Sequence, residues 1–281
     1  MALPDFLIIG AMKCGTSTLQ AQLAAQPGIF MTTPKEPNFF SDDPIYARGM
    51  AWYEALFDDA QPGDLKGEAS THYTKLPTYP NCVARLAKTL KMPKCIYLVR
   101  HPVVRAVSHY IHEWTMGTMS GEIDEAFSDH HELISYSCYA QQIAPYVDAF
   151  GTERILLLSQ EELQRAPQET LDRVGRFLAR DTPFIWQPDK AQVNASAQRI
   201  RRLPLHEILI DNPIATALRR RLVPQSLRDR IKNTRQMTAR PEPSADLTRR
   251  LETVFTQDYS RLRKMFPHHD TLAASYPFVA R

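Results

Sequence analysis

A short apolar run followed at once by a glycine-rich turn leaves this 281-residue chain few choices of fold. Residues 6–9 are FLII, and residues 10–19 are GAMKCGTSTL. An apolar run, a turn rich in glycine and hydroxyl groups, and then an amphipathic segment are typical of a strand, an anion-binding loop and a helix. The first N–H groups of such a helix have no intrahelical acceptor, so the pattern predicts a phosphate site over residues 13–18.

The position of the lysine separates this loop from the loop of the common nucleoside triphosphatases. In those proteins a lysine follows the second glycine, whereas Lys13 precedes Gly15. This order disfavours an ATPase or a GTPase. The sequence predicts that the nucleotide is bound by Lys13, Cys14, Gly15, Thr16, Ser17 and Thr18. Cys14 is either a reactive thiol near a helix start or simply a small residue that fits the turn.

A second apolar run, CIYLV at residues 95–99, ends at an arginine. Arg100 follows the run, and Pro102 suits the first turn of a helix, where no N–H donor is needed. Ser108 then lies about two helical turns further on. An arginine fork and a hydroxyl group that face one point suit a second phosphate, although a strand-end ion pair and a tolerated helix serine also explain them. With the first loop, they predict a nucleotide that carries anionic groups at both its 5′ and 3′ ends.

Predicted strands and helices alternate along the chain. Strands are predicted at residues 7–9, 29–32, 65–68, 96–99 and 155–158, and helices at residues 17–25, 49–57, 79–90, 102–115, 136–150 and 167–179. This order predicts an α/β fold with a P-loop-type parallel sheet flanked by helices on both faces, in which ligands bind at the carboxyl ends of the strands. We expect a single domain over residues 1–281, with a nucleotide-binding core over about 5–200 and a basic, mainly helical part over about 201–281.

These motifs resemble those of the sulfotransferases that use 3′-phosphoadenosine 5′-phosphosulfate (PAPS), especially the bacterial relatives of the heparan sulfate N- and 3-O-sulfotransferase domains. The resemblance rests on KCGTST at 13–18, KEPNFF at 35–40, GEAS at 67–70, YLVRHP at 97–102 and SHY at 108–110, and more weakly on RILLL at 154–158 and VNAS at 193–196. It implies sulfuryl transfer from PAPS to a hydroxyl or an amine, with 3′-phosphoadenosine 5′-phosphate (PAP) as product and no metal. The acceptor is a small molecule or a glycan, and a carbohydrate or another alcohol is favoured.

The resemblance also implies roles for single residues. Lys13 stabilises the charge that develops on the departing 5′-phosphate, or only binds that phosphate. Glu36 takes the acceptor proton, since its segment is similar to the one that supplies the catalytic glutamate of glycosaminoglycan sulfotransferases. Its flanking residues predict a partly desolvated carboxylate, and a surface ion pair with Lys35 is the alternative. Ala69 stands where those enzymes have a lysine, and His72 is the second candidate base because small-molecule sulfotransferases use histidine.

Charge is distributed unevenly along the chain. Residues 1–198 carry 17 Lys and Arg against 23 Asp and Glu, whereas residues 199–281 carry 17 against 8. The basic part faces either an anionic nucleotide or acceptor, or water. By similarity, Arg199 and Arg201 belong to a late basic loop that binds the 3′-phosphate, or else to a solvated arginine cluster. The basic residues have no interleaved aromatic side chains, which disfavours nucleic acid as a partner.

Further features bear on the compartment and on other functions. No apolar run reaches the length of a membrane span and no leader pattern is present, so we expect no membrane partner. Four cysteines without metal or disulfide spacing favour a reduced, cytoplasmic enzyme. The sequence carries no signal for the oligomeric state. Two alternatives stay open: a P-loop nucleotide kinase-like phosphotransferase, and a catalytically silent nucleotide-binding protein.

Overall fold

A parallel sheet forms the centre of the computed structural model, which describes residues 3–190, 237, 239–269 and 272–279. Its strands are β1 (Phe6–Gly10), β2 (Ile29–Met31), β3 (Leu65–Ala69), β4 (Lys94–Val99) and β5 (Ile155–Ser159). They lie side by side in the order β2-β3-β1-β4-β5, and every neighbouring pair runs parallel.

The central strand is β1, in which all five residues are buried. Continuous burial fits an apolar run in a parallel strand that is covered on both faces. Phe6 lies opposite Gly67 of β3 on one side and Lys94 of β4 on the other. Only glycine fits at position 67, because a Cβ atom there would lie 2.3 Å from the ring of Phe6.

Helices connect the strands and follow them at the C-terminal end. They are α1 (Thr16–Ala24), α2 (Asp43–Tyr46), α3 (Met50–Ala55), α4 (Cys82–Thr89), α5 (Pro102–Met116), α6 (Ile123–Asp129), α7 (Glu132–Ser135), α8 (Tyr139–Phe150), α9 (Gln160–Arg165), α10 (Pro167–Leu178), α11 (Ala245–Met265) and α12 (Leu272–Ser275). Short 3₁₀ turns lie at Thr71–Thr74, Thr152–Arg154 and Pro188–Lys190. Within the described ranges, no helix is both long and apolar enough to cross a membrane.

The order of the strands determines where a ligand can bind. The connection from β1 to β2 passes β3 in one direction, and the connection from β3 to β4 passes β1 in the other. Right-handed crossovers then place α1 on one face of the sheet and α4 on the opposite face, where α4 and α11 pack against α8. The predicted α/β fold and its helical C-terminal part are confirmed. The change of direction places the ligand-binding crevice at the carboxyl end of β1.

Two predicted helix boundaries are wrong, one for a local reason and the other because of contacts with a distant segment. The helix expected at 79–90 begins only at Cys82, because the residue before Pro80 disfavours helical backbone. The helix expected at 136–150 begins at Tyr139. Ser137 lies before that start, where its hydroxyl accepts a hydrogen bond from Arg105 and donates one to the carbonyl of Pro102 at 3.0 Å. The short helices α2, α6, α7 and α9 were not predicted, since so few residues show no helical period.

Helix α11 joins the C-terminal part to the sheet domain. Its buried residues Leu251, Phe255 and Leu262 recur at helical spacing and form one apolar face. On the same helix, Asp258 accepts hydrogen bonds from the first-turn N–H groups of α8, at 2.8 Å from Ala140 and 3.2 Å from Gln141. The extent of a single domain over 1–281, with a core over about 5–200, stays a prediction.

Candidate active site

The glycine-rich loop links β1 to α1 at the centre of the sheet. A Cβ atom on Gly10 would lie 2.0 Å from the Thr74 hydroxyl, which itself donates to the carbonyl of Ile9 at 2.8 Å. Gly15 precedes α1 with a left-handed φ of 90°, which glycine adopts without steric cost. The chain therefore turns tightly into α1. The N–H groups of the first turn of α1, which begins at Thr16, point out of the helix end.

A cavity of about 890 Å³ lies at this edge of the sheet. Most predicted site residues line it: Lys13, Gly15, Thr16, Ser17, Thr18, Glu36, His72, Arg100 and Ser108. These residues come from segments that follow β1, β2, β3 and β4. The cavity is large enough for a nucleotide and part of an acceptor, since small-molecule sites have volumes of roughly 300–1,000 Å³.

Arg100 and Ser108 stand next to the loop. The Nη1 group of Arg100 donates a hydrogen bond to the carbonyl of Lys13 at 3.3 Å. The Tyr139 hydroxyl accepts from the N–H of Arg100 at 3.3 Å and donates to its carbonyl at 2.9 Å, which holds the backbone where β4 ends. Ser108 follows on α5 and is 5% exposed. The two predicted phosphate-binding segments therefore lie in one cavity.

Glu36 occupies a turn with a left-handed backbone, φ 60°. Its N–H donates to the carbonyl of Ala69 at 2.9 Å, which fastens the turn to the end of β3. Its carboxylate pairs with Lys35 at 2.8 Å and accepts from the Thr71 hydroxyl at 3.3 Å. Burial raises the pKa of Glu36, but the charge and hydrogen bond of Lys35, together with the charge of Lys75, act against burial, and the pKa lies below its ordinary value. Partial burial and the Lys35 ion pair, expected as alternatives, occur together.

Glu68 is linked by hydrogen bonds to the segment that contains the Glu36 turn. It is fully buried and accepts hydrogen bonds from the hydroxyl groups of Tyr53 and Ser70, the latter at 2.6 Å. The Ser70 oxygen in turn accepts from the N–H of Asn38 at 3.0 Å. Burial raises the pKa of Glu68, and the hydroxyl donors act against this. Among the described residues the hydrogen-bond partners of Glu68 are hydroxyl groups, and Glu68 does not line the cavity.

His72 faces the cavity on the same side as Glu36. Its ring stacks on Tyr79, with 4.7 Å between the centroids and 17° between the planes. Burial, and then the charge of Lys75, lower its pKa to about 4. The imidazole is therefore neutral at pH 7 and has a low proton affinity. Both candidate bases lie at the cavity wall, and the choice between them stays a prediction.

A family model described as "Sulfotransferase domain" matches residues 3–203 of the chain. The matched range contains the glycine-rich loop, the Glu36 turn and the Arg100–Ser108 segment. The chain belongs to the sulfotransferase family. The resemblance predicted from the motifs is confirmed.

Similar proteins agree with this membership. Mouse heparan sulfate glucosamine 3-O-sulfotransferase 3B1 is 32% identical over 192 residues, which cover 63% of this chain and 46% of the mouse protein. Human heparan sulfate glucosamine 3-O-sulfotransferase 6 is 30% identical over 187 residues, 62% of this chain and 52% of the human protein. The chain thus spans about half the length of these relatives.

Two solved structures show the same fold at lower identity. A sulfotransferase from Alicyclobacillus acidocaldarius superposes with a TM-score of 0.68 at 24% identity, covering 94% of this chain and 96% of its own. A mouse sulfotransferase in complex with PAP superposes with a TM-score of 0.54 at 16% identity, and the match covers 98% of this chain and 89% of the mouse chain.

Cys14 does not line the cavity, unlike the other predicted nucleotide-binding residues of the glycine-rich loop. It is completely buried, its sulfur lies 3.5 Å from the Tyr139 hydroxyl, and its N–H donates to the carbonyl of Ala11 at 3.2 Å. Burial raises the pKa of the thiol to about 11. A reactive thiol does not fit this environment, whereas a small buried residue does. Contact between Cys14 and a nucleotide stays a prediction.

The cavity of this sulfotransferase also contains residues that the motifs did not indicate. Among them are Thr71, Lys75, His112, Glu113, Gln160 and Arg240. A signal for His112 was present, because it lies one helical turn beyond Ser108 on α5. Arg240 and Lys75 had no such signal, since tertiary packing brings their segments to the cavity.

Glu113 adds a second carboxylate to the cavity. It accepts a hydrogen bond from the Thr118 hydroxyl at 2.6 Å and lies 3.5 Å from Nε2 of His109. The hydrogen bond from His109 outweighs burial and lowers the pKa of Glu113 to about 2. Glu113 is therefore ionised at neutral pH.

The predicted late basic loop lies outside the described residues. This applies to Arg199, to Arg201 and to the VNAS segment at 193–196. From the described C-terminal part, Arg240 lines the cavity and donates to the carbonyl of Val104 at 3.4 Å.

Proposed function

We propose that this protein transfers a sulfuryl group from PAPS to a hydroxyl or an amine. The observation that supports this most is the single cavity that contains the Lys13 loop, the Arg100–Ser108 pair and Glu36. Cations and helix N–H groups at separate points of its wall suit a nucleotide with anions at both ends. A carboxylate at the same wall suits an acceptor that must lose a proton.

PAPS supplies an activated sulfuryl group when it is bound. In our proposal the loop residues and Lys13 bind the 5′-phosphate, and Lys13 stabilises the negative charge that develops there as the S–O bond breaks. Arg100 and Ser108 bind the 3′-phosphate, together with Arg199 and Arg201 of the predicted late loop. Glu36 takes the acceptor proton while the acceptor attacks sulfur in line with the departing phosphate.

The acceptor proposed here is a small molecule or a glycan, with a carbohydrate or another alcohol favoured. This proposal is supported by two relatives that are named heparan sulfate glucosamine 3-O-sulfotransferases. The polar residues of the cavity wall, among them Thr71, His112 and Thr115, suit an acceptor rich in hydroxyl groups.

We also propose a reducing, cytoplasmic setting for the enzyme. All four cysteines are free thiols, and all are buried. In an oxidising compartment, cysteines of secreted domains are commonly paired in disulfides. Fractionation of the source cells tests this, and recovery of the protein in an oxidising compartment contradicts it.

Nucleotide binding and product release together test the proposed function. Calorimetry compares PAP with ATP in the presence of magnesium, and we expect tight binding of PAP only. Release of PAP from PAPS is then measured with a panel of saccharides, phenols and amines. Preference for ATP with magnesium supports the phosphotransferase alternative, and binding of PAP without release on any acceptor supports a catalytically silent protein.

A further inference from the structure

Lys75 brings a positive charge to the cavity wall at a position that no motif indicates. It directly follows the 3₁₀ turn Thr71–Thr74 after β3, and it lines the cavity together with Thr71 and His72 of that turn. Its ammonium nitrogen lies 5.8 Å from the centre of the Tyr136 ring. The side chain therefore packs beside an aromatic surface and reaches the cavity.

Lys35 and Lys75 differ in whether a described carboxylate forms an ion pair with them. Lys35 pairs with Glu36 at 2.8 Å, whereas none of the described carboxylates comes within 4.0 Å of Lys75 Nζ. Burial lowers the pKa of Lys75 to about 8, and the negative charges of Glu36 and Glu113 act in the opposite direction. A partly buried ammonium group without an ion-pair partner is unfavourable until an anion binds to it.

The position of Lys75 indicates which anion this is. In the proposed function, the loop binds the 5′-phosphate, and Arg100 and Ser108 bind the 3′-phosphate. Lys75 instead follows the 3₁₀ turn whose Thr71 hydroxyl donates to the Glu36 carboxylate at 3.3 Å. In agreement with this placement, the charges of Lys75 and Glu36 each shift the pKa of the other. In an in-line transfer the sulfuryl group lies between the 5′-phosphate and the acceptor atom whose proton Glu36 takes.

We propose that Lys75 binds the nonbridging oxygens of the sulfuryl group during transfer, as a catalytic cation in addition to Lys13. This inference rests on the proposed PAPS-dependent reaction. The bond from the acceptor to sulfur forms while the S–O bond to the 5′-phosphate breaks. The acceptor proton goes to Glu36, and the electron pair of the broken bond leaves with PAP. Lys75 keeps its proton and offsets charge on the sulfuryl oxygens.

The first test compares two nucleotides that differ only in the sulfuryl group. Lys75→Met should leave the dissociation constant of PAP within about twofold and raise that of PAPS about tenfold or more, the scale of one lost charge-assisted hydrogen bond. Lys75→Arg should restore most of the preference for PAPS. Lys88→Met, on the exposed side of α4, is the matched control and should change neither constant. Equal weakening of PAP and PAPS, or no change in either, overturns the inference.

A second test uses the unaltered protein and does not depend on how a variant folds. Reductive methylation with formaldehyde, followed by mass spectrometry, reports the accessibility of each lysine. PAPS should protect Lys75 more strongly than PAP does, whereas equal protection overturns the inference. Failure of the proposed function is distinguishable, because the wild-type protein would then bind neither nucleotide.

Discussion

Exchange of Glu36 for glutamine removes a proton acceptor but keeps a side chain of nearly the same shape. The amide oxygen can still accept from Lys35 and Thr71, which lie 2.8 and 3.3 Å from the carboxylate. The backbone bond of Glu36 to Ala69, 2.9 Å long, is unaffected. The fold and the nucleotide affinity should therefore persist. Turnover should fall about 100- to 10,000-fold, the usual contribution of a general base, which corresponds to about 2.7–5.4 kcal/mol of barrier.

The assay is release of PAP at saturating PAPS, paired with calorimetry of PAP binding. Glu125→Gln, on the exposed side of α6, is the matched control and should retain full activity. His72→Ala should cost less than about tenfold, because in the proposed mechanism Glu36 and not His72 takes the acceptor proton.

The pH profile gives an independent check of the same base. The pKa of Glu36 is lowered, so its carboxylate stays ionised above that pKa and the rate should be level between pH 5 and 7. A fall centred near pH 6.5 would instead indicate a different base with the ordinary histidine pKa, since the pKa of His72 is about 4. An active Glu36→Gln variant together with an inactive His72→Ala variant would refute the assignment, and so would loss of PAP binding in Glu36→Gln.

Three further changes test other parts of the site. Arg100→Ala should weaken PAP by about 1.5–3 kcal/mol and leave AMP, which has no 3′-phosphate, nearly unchanged in calorimetry, whereas equal weakening would remove Arg100 from the 3′-phosphate site. Chelation with EDTA should leave turnover intact, and a loss that magnesium reverses would instead favour the phosphotransferase alternative. Ser70→Ala should lower the free energy of unfolding in urea by about 1–3 kcal/mol, because Glu68 loses a donor and the N–H of Asn38 loses its acceptor. Its control, exposed Ser128→Ala, should change stability by less than about 0.5 kcal/mol, and similar losses in both would contradict the supporting role of Ser70.

The parts of the site that the sequence predicted are short contiguous segments. The loop at 13–18 and the Arg100–Ser108 segment each combine a strand end with a helix start, so local spacing indicates that both segments lie at the carboxyl edge of the sheet. The parallel sheet follows from the same alternation of apolar runs and helices. The positions of Gly10 and Gly15 also follow from local chain geometry, since each requires a positive φ.

Other features depend on contacts between distant segments. Cys14 points toward Tyr139, which is 125 residues further along the chain, so its orientation could not be predicted from the loop. Burial of Glu68 depends on the hydroxyl group of Tyr53 on α3. Lys75 and Arg240 reach the cavity only after the 3₁₀ turn and the C-terminal part have packed, and neither lies in a motif.

The orientation of the bound nucleotide tests the central claim most directly. A crystal structure with PAP should show the 5′-phosphate at the Lys13 loop and the 3′-phosphate at Arg100 and Ser108. The open side of the 5′-phosphate should then face Glu36 and Lys75. A nucleotide bound in the reverse direction, or one whose 5′-phosphate lies away from Glu36, would contradict the proposed sulfuryl transfer.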